Sequence, residues 1–138
     1  MGSPITITLA GEPRGKGRPR FAKATGRAFT PTPTRNYEAA LRIEAQHAMA
    51  GRAPIEGPLT VRVRAVFAIP ASMTKGKRQM AVSGQLRPLK TPDADNLMKT
   101  LDALNQVVFV DDKQVVEATI SKFYGEQPAL HITVEPWA

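Results

Sequence analysis

The stretch Leu59-Thr-Val-Arg-Val-Arg-Ala-Val-Phe-Ala-Ile69 carries the clearest strand pattern in the chain. Apolar side chains recur at every second position, and Thr60, Arg62 and Arg64 lie between them. Because successive side chains of a strand project to opposite faces, the pattern predicts a strand over residues 59–69 with one buried and one solvated face.

The segments on either side of this strand show helical and strand patterns in turn. Residues 34–50 predict a helix, with Thr32 or Thr34 as the N-cap, an apolar stripe and Gly51 at its end. The stripe comprises Tyr37, Leu41, Ala45 and Ala48. Further elements are predicted as a strand at 5–9, a short helix near 74–82, a helix at 96–104 and strands at 106–110, 114–124 and 129–135. A turn at residues 125–128 joins the last two strands.

This order of elements predicts one α/β (α+β) domain over residues 1–138, with a mixed β-sheet and two main helices packed on it. The length of 138 residues suits a single core. The chain has no cysteine, which excludes disulfides, thiolate metal sites and cysteine nucleophiles. It shows neither a membrane-spanning apolar run nor a secretory signal pattern, so we expect a cytoplasmic protein.

The net charge of +7 conceals two regions of opposite sign. Residues 1–90 contain 16 basic and 4 acidic side chains, a net charge of +12, whereas residues 91–138 contain 3 and 8, a net charge of −5. The basic region indicates a polyanionic partner, and the acidic surplus needs a separate explanation.

Residues 10–33 form a basic arm, predicted as a long loop or an irregular hairpin rich in glycine and proline. Its cations, the predicted DNA-binding residues, are Arg14, Lys16, Arg18, Arg20, Lys23 and Arg27. Cations so close together favour phosphate contacts along a nucleic-acid backbone. A second basic region comprises Lys75, Lys77, Arg78, Arg87 and Lys90. A basic but unused surface is the simpler interpretation of both.

The acidic surplus is concentrated around the predicted helix at 96–104. Pro92 favours an extended chain over residues 93–95, where Asp93 and Asp95 project to one side and Asp95 serves as the helix N-cap. On the helix, Asp95, Lys99 and Asp102 lie opposite a leucine stripe. Two carboxylates on one side repel each other unless a cation lies between them, and Mg²⁺ or Mn²⁺ suits oxygen ligands.

The pair Asp111-Asp112 lies in a predicted turn between two apolar strands. A nine-residue helix is roughly 13 Å long and residues 106–110 span roughly 16 Å when extended, so this turn can return to the helix N-terminus. The simpler interpretation makes these acids caps, turn residues and a solvated helix face. Carboxylates around a divalent ion would instead suit phosphodiester hydrolysis, with Lys99 donating to a phosphate oxygen.

Three segments resemble the signature of RusA-type Holliday-junction resolvases. They are Pro92-Asp-Ala-Asp-Asn-Leu-Met-Lys99, Asp102-Ala-Leu-Asn105 and Asp111-Asp-Lys-Gln-Val-Val116. The runs Lys16-Gly-Arg-Pro-Arg-Phe21 and Pro31-Thr-Pro-Thr-Arg-Asn-Tyr-Glu38 are similar to the N-terminal part of prophage-type members. The segment between Ile69 and Asp93 is longer than in the shortest members.

The resemblance implies a homodimeric, Mg²⁺-dependent endodeoxyribonuclease, with Mn²⁺ as a substitute ion, that cuts four-way DNA junctions by symmetric incisions during DNA recombination and repair. The family's essential residues correspond to Asp93, Asp95 and Asp112 as metal ligands and to Lys99. Asp111 is a weaker candidate. Branched DNA is then the expected partner, without a membrane or a small-molecule cofactor.

Two alternatives stay open. One is a basic nucleic-acid-binding protein without catalysis, and the other is a related metal-dependent nuclease that acts on flaps, forks or RNA.

Overall fold

The computed structural model describes residues 3–15, 20–21, 28–29 and 32–138. Its strands are β1 (Ile5–Ala10), β2 (Arg20–Phe21), β3 (Ala28–Phe29), β4 (Leu59–Ala68), β5 (Val115–Gly125) and β6 (Ala129–Pro136). Its α-helices are α1 (Thr32–Met49), α2 (Lys75–Val82) and α3 (Ala94–Met98). Two 3₁₀-helices span Lys99–Leu104 and Asp112–Gln114.

The strand predicted from residues 59–69 lies inside a four-stranded sheet with the order β1-β6-β4-β5. Strand β4 pairs with β6 in antiparallel and with β5 in parallel orientation, so the predicted mixed sheet is confirmed. The short turn after Gly125 joins β5 to β6 as expected, but these strands are not neighbours. The turn therefore crosses the end of β4, which separates them.

One hydrophobic core lies beneath the sheet. The inward side chains of β4, from Leu59 to Phe67, are at most 1% exposed. Leu41 and Ala45 of α1 are fully buried against them, as the predicted apolar stripe requires. Burying a leucine or phenylalanine side chain stabilises a fold by about 1.5–3 kcal/mol, so this strand and helix dominate the core.

The predicted helices near 34–50 and 74–82 are confirmed as α1 and α2. Helix α1 ends where Ala50 and Gly51 adopt positive φ angles of 49° and 82°, and Gly51 is the residue that tolerates this conformation. Thr74 caps α2 by accepting a hydrogen bond from the backbone N–H of Lys77. Within the residues that the structure describes, no helix is both long and apolar enough to cross a membrane.

The strand predicted at residues 106–110 is wrong. The chain turns there instead, because Gln106 has a φ of 67° and the N–H of Val108 bonds back to the carbonyl of Leu104 at 3.0 Å. Val108 and Phe109 are fully buried, so the apolar run that resembles a strand anchors a loop in the core.

The helix predicted at residues 96–104 starts two residues earlier and changes type along its length. It is α-helical over Ala94–Met98 and tightens into a 3₁₀-helix over Lys99–Leu104. The predicted leucine stripe is confirmed, since Leu97, Leu101 and Leu104 are at most 3% exposed. The opposite face of this helical segment carries the acidic residues.

Candidate active site

Asp93, and not Asp95, is the N-cap of α3. Its backbone is extended, with φ −76° and ψ 170°, and its Oδ1 accepts a hydrogen bond from the backbone N–H of Asn96 at 3.0 Å. Both aspartates are good caps by type. The chain enters the helix directly after Asp93, so Asp95 occupies the first turn, where a negative charge is favoured by the helix dipole. Its predicted extended conformation is therefore wrong.

Asp95 and Lys99 share one face of the helical segment, as predicted. The Lys99 Nζ lies 3.3 Å from the Asp95 Oδ2. The Lys99 side chain is 51% exposed and the Asp95 side chain is 77% exposed. An ion pair this exposed contributes at most about 1 kcal/mol to stability. Its carboxylate and ammonium are consequently accessible to a phosphate or a cation.

The 3₁₀-helix at Asp112–Gln114 is held in place by a capping box. Asp111 is its N-cap and accepts a hydrogen bond from the N–H of Lys113 at 2.8 Å, while the Gln114 side chain accepts one from the N–H of Asp111 at 2.9 Å. The Gln114 amide also donates to the carbonyls of Ile55 and Gly57, each at 2.9 Å. Asp111 and Gln114 therefore serve to position the turn, which agrees with Asp111 being the weaker candidate.

Asp112 lies against the side chains of Asp102 and Asp111. The hydrogen bond with Asp102, partial burial and the neighbouring Asp111 together raise the pKa of Asp112 to about 6. The backbone N–H of Lys113 and the hydrogen bond with Asp112 lower the pKa of Asp111. Like charges at close range favour a shared proton, so this turn carries carboxylates whose repulsion a cation could relieve.

The structure thus divides the predicted site residues between two groups. Asp93, Asp95 and Lys99 are on or beside α3, and Asp112 lies next to Asp102. Among the residues with described positions, no three acidic or histidine side chains already surround one point as a metal site would require. The convergence of Asp93, Asp95 and Asp112 on one ion therefore stays a prediction. The donor set fits a hard cation, because every candidate ligand is a carboxylate.

Asp102 contacts Asp112, although its predicted place on the polar face with Asp95 and Lys99 does not imply this contact. The available signal is its spacing of three from Lys99, which puts both residues on the polar face. Its contact with Asp112 joins two segments that are separated by the turn at residues 105–111, and spacing alone does not reveal such a contact.

The basic arm begins directly beside α3. A Cβ atom placed on Gly15 would come within 2.7 Å of the Asn96 Cβ and 2.9 Å of the Pro92 Cβ, so only glycine fits this contact. Arg14 precedes it and is exposed. The positions of Lys16, Arg18, Lys23 and Arg27 lie outside the described residues, as does the side chain of Arg20, whose backbone belongs to β2.

The second basic region is partly engaged in contacts within the protein. The Arg87 guanidinium lies 3.8 Å from the centroid of the Phe123 ring and donates to the carbonyl of Lys122 at 3.2 Å. The Lys90 Nζ lies 3.7 Å from the Glu12 Oε2. These two cations therefore tie the segment around α2 to the sheet, whereas Lys75 and Lys77 are exposed.

Comparison with known proteins identifies relatives along nearly the whole chain. The model of a family described as Endodeoxyribonuclease RusA matches residues 10–135. The chain is also 34% identical over 136 residues to the "Uncharacterized protein YqaN" of Bacillus subtilis (strain 168), an alignment that covers 94% of each chain. The family match includes both the basic arm and the acidic segments.

Proposed function

Because the chain belongs to the endodeoxyribonuclease RusA family, which supports nuclease activity on Holliday junctions, we propose that it is a Mg²⁺-dependent enzyme that resolves four-way DNA junctions by paired, symmetric incisions. The structural observation that carries the proposal is the contact of Gly15 with Pro92 and Asn96. This contact puts Gly15, at the start of the basic arm, next to the segment that carries Asp93. An arm that binds phosphates would then hold the DNA backbone beside the carboxylates.

Asp93, Asp95 and Asp112 would hold the divalent ion, and Mn²⁺ would replace Mg²⁺ because both favour carboxylate oxygens. The bound ion supplies an activated water and neutralises charge on the phosphate. Lys99 has an exposed ammonium within one helical turn of Asp95, and this group donates to a non-bridging phosphate oxygen as charge develops. Asp111 and Gln114 keep the Asp112 turn in position through their capping box.

We propose that the active form is a homodimer, because a two-fold symmetric junction is best cut by a two-fold symmetric enzyme. Its role would lie in DNA recombination and repair in the cytoplasm, where branched DNA arises. Sedimentation of the protein with and without a junction measures the stoichiometry. A monomer in both conditions would remove the dimer from the proposal.

The decisive experiment compares Asp95→Asn with the wild-type protein on a labelled four-way junction. We expect Mg²⁺-dependent cleavage by the wild type, its loss in EDTA, and a loss of at least roughly 100-fold in the variant with junction binding retained. The matched control is Glu117→Gln, which neutralises an exposed acid of β5 outside the site. Normal cleavage by Asp95→Asn would show that the site is wrongly assigned.

The same assay separates the remaining alternatives. Binding without cleavage in Mg²⁺ would favour a non-catalytic nucleic-acid-binding protein. Flaps, forks and RNA compared with the junction at equal salt concentration would reveal a nuclease with a different substrate, since salt strongly changes phosphate-dominated binding.

A further inference from the structure

Four residues at the start of α1 have no role in the proposed hydrolysis, yet they line two adjoining grooves: Pro33, Thr34, Asn36 and Tyr37. The first has a volume of about 550 Å³ and is lined by residues of β1, the start of the arm and the first turns of α1. The second has a volume of about 360 Å³ and is lined by residues from the arm, α1 and the segment 91–96. Arg14 and Pro33 line both grooves, so the two adjoin at these residues.

The second groove leads to the acidic site. Its walls include Pro92 and Asn96, which lie on either side of Asp93 in the chain, and Asn96 donates its N–H to Asp93. Gly15 packs on these same residues, which holds the neighbouring Arg14 at the junction between the grooves. A DNA strand that places a phosphate near Asp93 would therefore bring the adjoining nucleotide toward the first groove.

The first groove combines apolar walls with a few polar groups. Leu9, Pro33 and Ala40 supply apolar surface, while Arg14, Asn36 and Tyr37 supply hydrogen-bonding groups. Small-molecule sites typically have volumes of about 300–1,000 Å³ and this same mixture of surfaces. A nucleobase has two apolar faces and a polar edge, so its chemistry matches the groove.

The Tyr37 hydroxyl is a buried polar group among the residues that line the first groove. The backbone N–H and the charge of Arg14 both act on its oxygen, while its own O–H donates to no acceptor in the described part of the chain. Burial raises the pKa of Tyr37, with Arg14 opposing this shift, so the phenol stays protonated and can donate as well as accept. An acceptor on the edge of a base would complete the hydrogen bonding of this hydroxyl.

We propose that the groove of Arg14, Asn36 and Tyr37 binds one unstacked nucleobase of the DNA strand next to the phosphate that is cut. Asn36 and the Tyr37 hydroxyl contact the base edge. Arg14 contacts the DNA phosphate that lies where the two grooves adjoin. The inference rests on the proposed function, because it takes the strand's path from the acidic site. It makes this groove a determinant of which nucleotides are accepted at the cleavage point.

The test is a double-mutant cycle that combines substitutions in the protein with abasic sites in the DNA. Binding is measured in EDTA so that cleavage plays no part. A single abasic site is moved through the nucleotides on either side of the crossover of a labelled junction, and the Kd of each junction is measured by fluorescence anisotropy. We expect one position at which loss of the base weakens wild-type binding roughly 5- to 100-fold. That penalty should shrink about three- to tenfold in Tyr37→Phe and in Asn36→Ala, because the lost hydrogen bond was made to that base.

Tyr124→Phe is the matched control, since it removes the same hydroxyl from a half-buried tyrosine of β5. Its abasic penalty should equal that of the wild type. Asn36 is exposed, so Asn36→Ala remains informative if Tyr37→Phe fails to fold. An equal abasic penalty in all four proteins, or no penalty at any position, would overturn the base-binding groove. A protein that cleaves junctions but shows no coupling would refute only this inference, whereas one that neither binds nor cleaves them would refute the proposed function as well.

Discussion

Replacing Asp102 by asparagine should stabilise the protein at neutral pH. In the wild type, the Asp102 side chain is the largest cause of the raised pKa of Asp112, which moves from 3.8 to about 6. An asparagine side chain is nearly isosteric with aspartate and can still form a hydrogen bond, but it carries no charge. The substitution should therefore return the pKa of Asp112 toward its ordinary value and relieve repulsion in the folded state.

The magnitude follows from the linkage between proton binding and folding. One pKa unit corresponds to about 1.4 kcal/mol, so a rise from 3.8 to about 6 would correspond to about 3 kcal/mol in a fully buried site. Asp112 is only half-buried, and solvent screening reduces the expected effect to about 1–2 kcal/mol. Because the pKa of Asp112 is raised in the folded state, the contribution of this carboxyl to stability is fully present below pH 3.8. It is lost as the pH rises through about 6.

The assay is urea unfolding of both proteins in EDTA at several pH values between about 4 and 7.5, a range that spans the shifted titration. We expect the free energies of unfolding to be similar near pH 4 and to diverge through about pH 6, with Asp102→Asn more stable by about 1–2 kcal/mol at neutral pH. Glu117→Gln, which removes an exposed charge of β5, should follow the wild-type curve. Parallel curves for the wild type and Asp102→Asn would refute the interaction between Asp102 and Asp112.

Two further substitutions test how the site is positioned. Asp111→Ala removes the N-cap and should lower the free energy of unfolding in urea titrations, while cleavage falls less than in Asp112→Asn. Equal losses of cleavage would give Asp111 a direct role. Gly15→Ala should weaken junction binding in anisotropy titrations, because the new Cβ would lie 2.7 Å from the Asn96 Cβ and 2.9 Å from the Pro92 Cβ. The control is Gly76→Ala, whose Cβ would have no atom within 4 Å, and this variant should bind normally. If Gly15→Ala binds the junction with unchanged affinity, the contact between the basic arm and the site does not contribute to DNA binding.

The sequence predicts most of the sheet and its core because period-two alternation is a local signal. Strand β4 reproduces its predicted faces, and β6 begins at the predicted residue. The order of strands is not local: β4 separates β5 from β6, although only a short turn joins them. The strand predicted at residues 106–110 is wrong because buried apolar residues produce the same sequence pattern in a loop as in a strand.

For the site, the sequence predicts the residue types and one contact, the pair of Asp95 and Lys99. It does not predict which aspartate caps α3, since Asp93 and Asp95 both have the required side chain and the choice depends on where the helix packs. It also does not predict the contact of Asp102 with Asp112, which requires the chain to turn after Asn105 instead of extending.

The change from α-helix to 3₁₀-helix after Met98 accounts for the position of Asp102. In an α-helix, successive residues rotate by about 100°, so a residue three positions after Lys99 would lie about 60° away from it around the axis. In a 3₁₀-helix the rotation is about 120°, and residues three apart are eclipsed. Asp102 therefore lies directly in line with Lys99, at the end of the segment that the Asp112 turn contacts. The tightened helix thus extends the acidic face from the N-terminus of α3 to Asp112, with Lys99 between Asp95 and Asp102 along the helical segment.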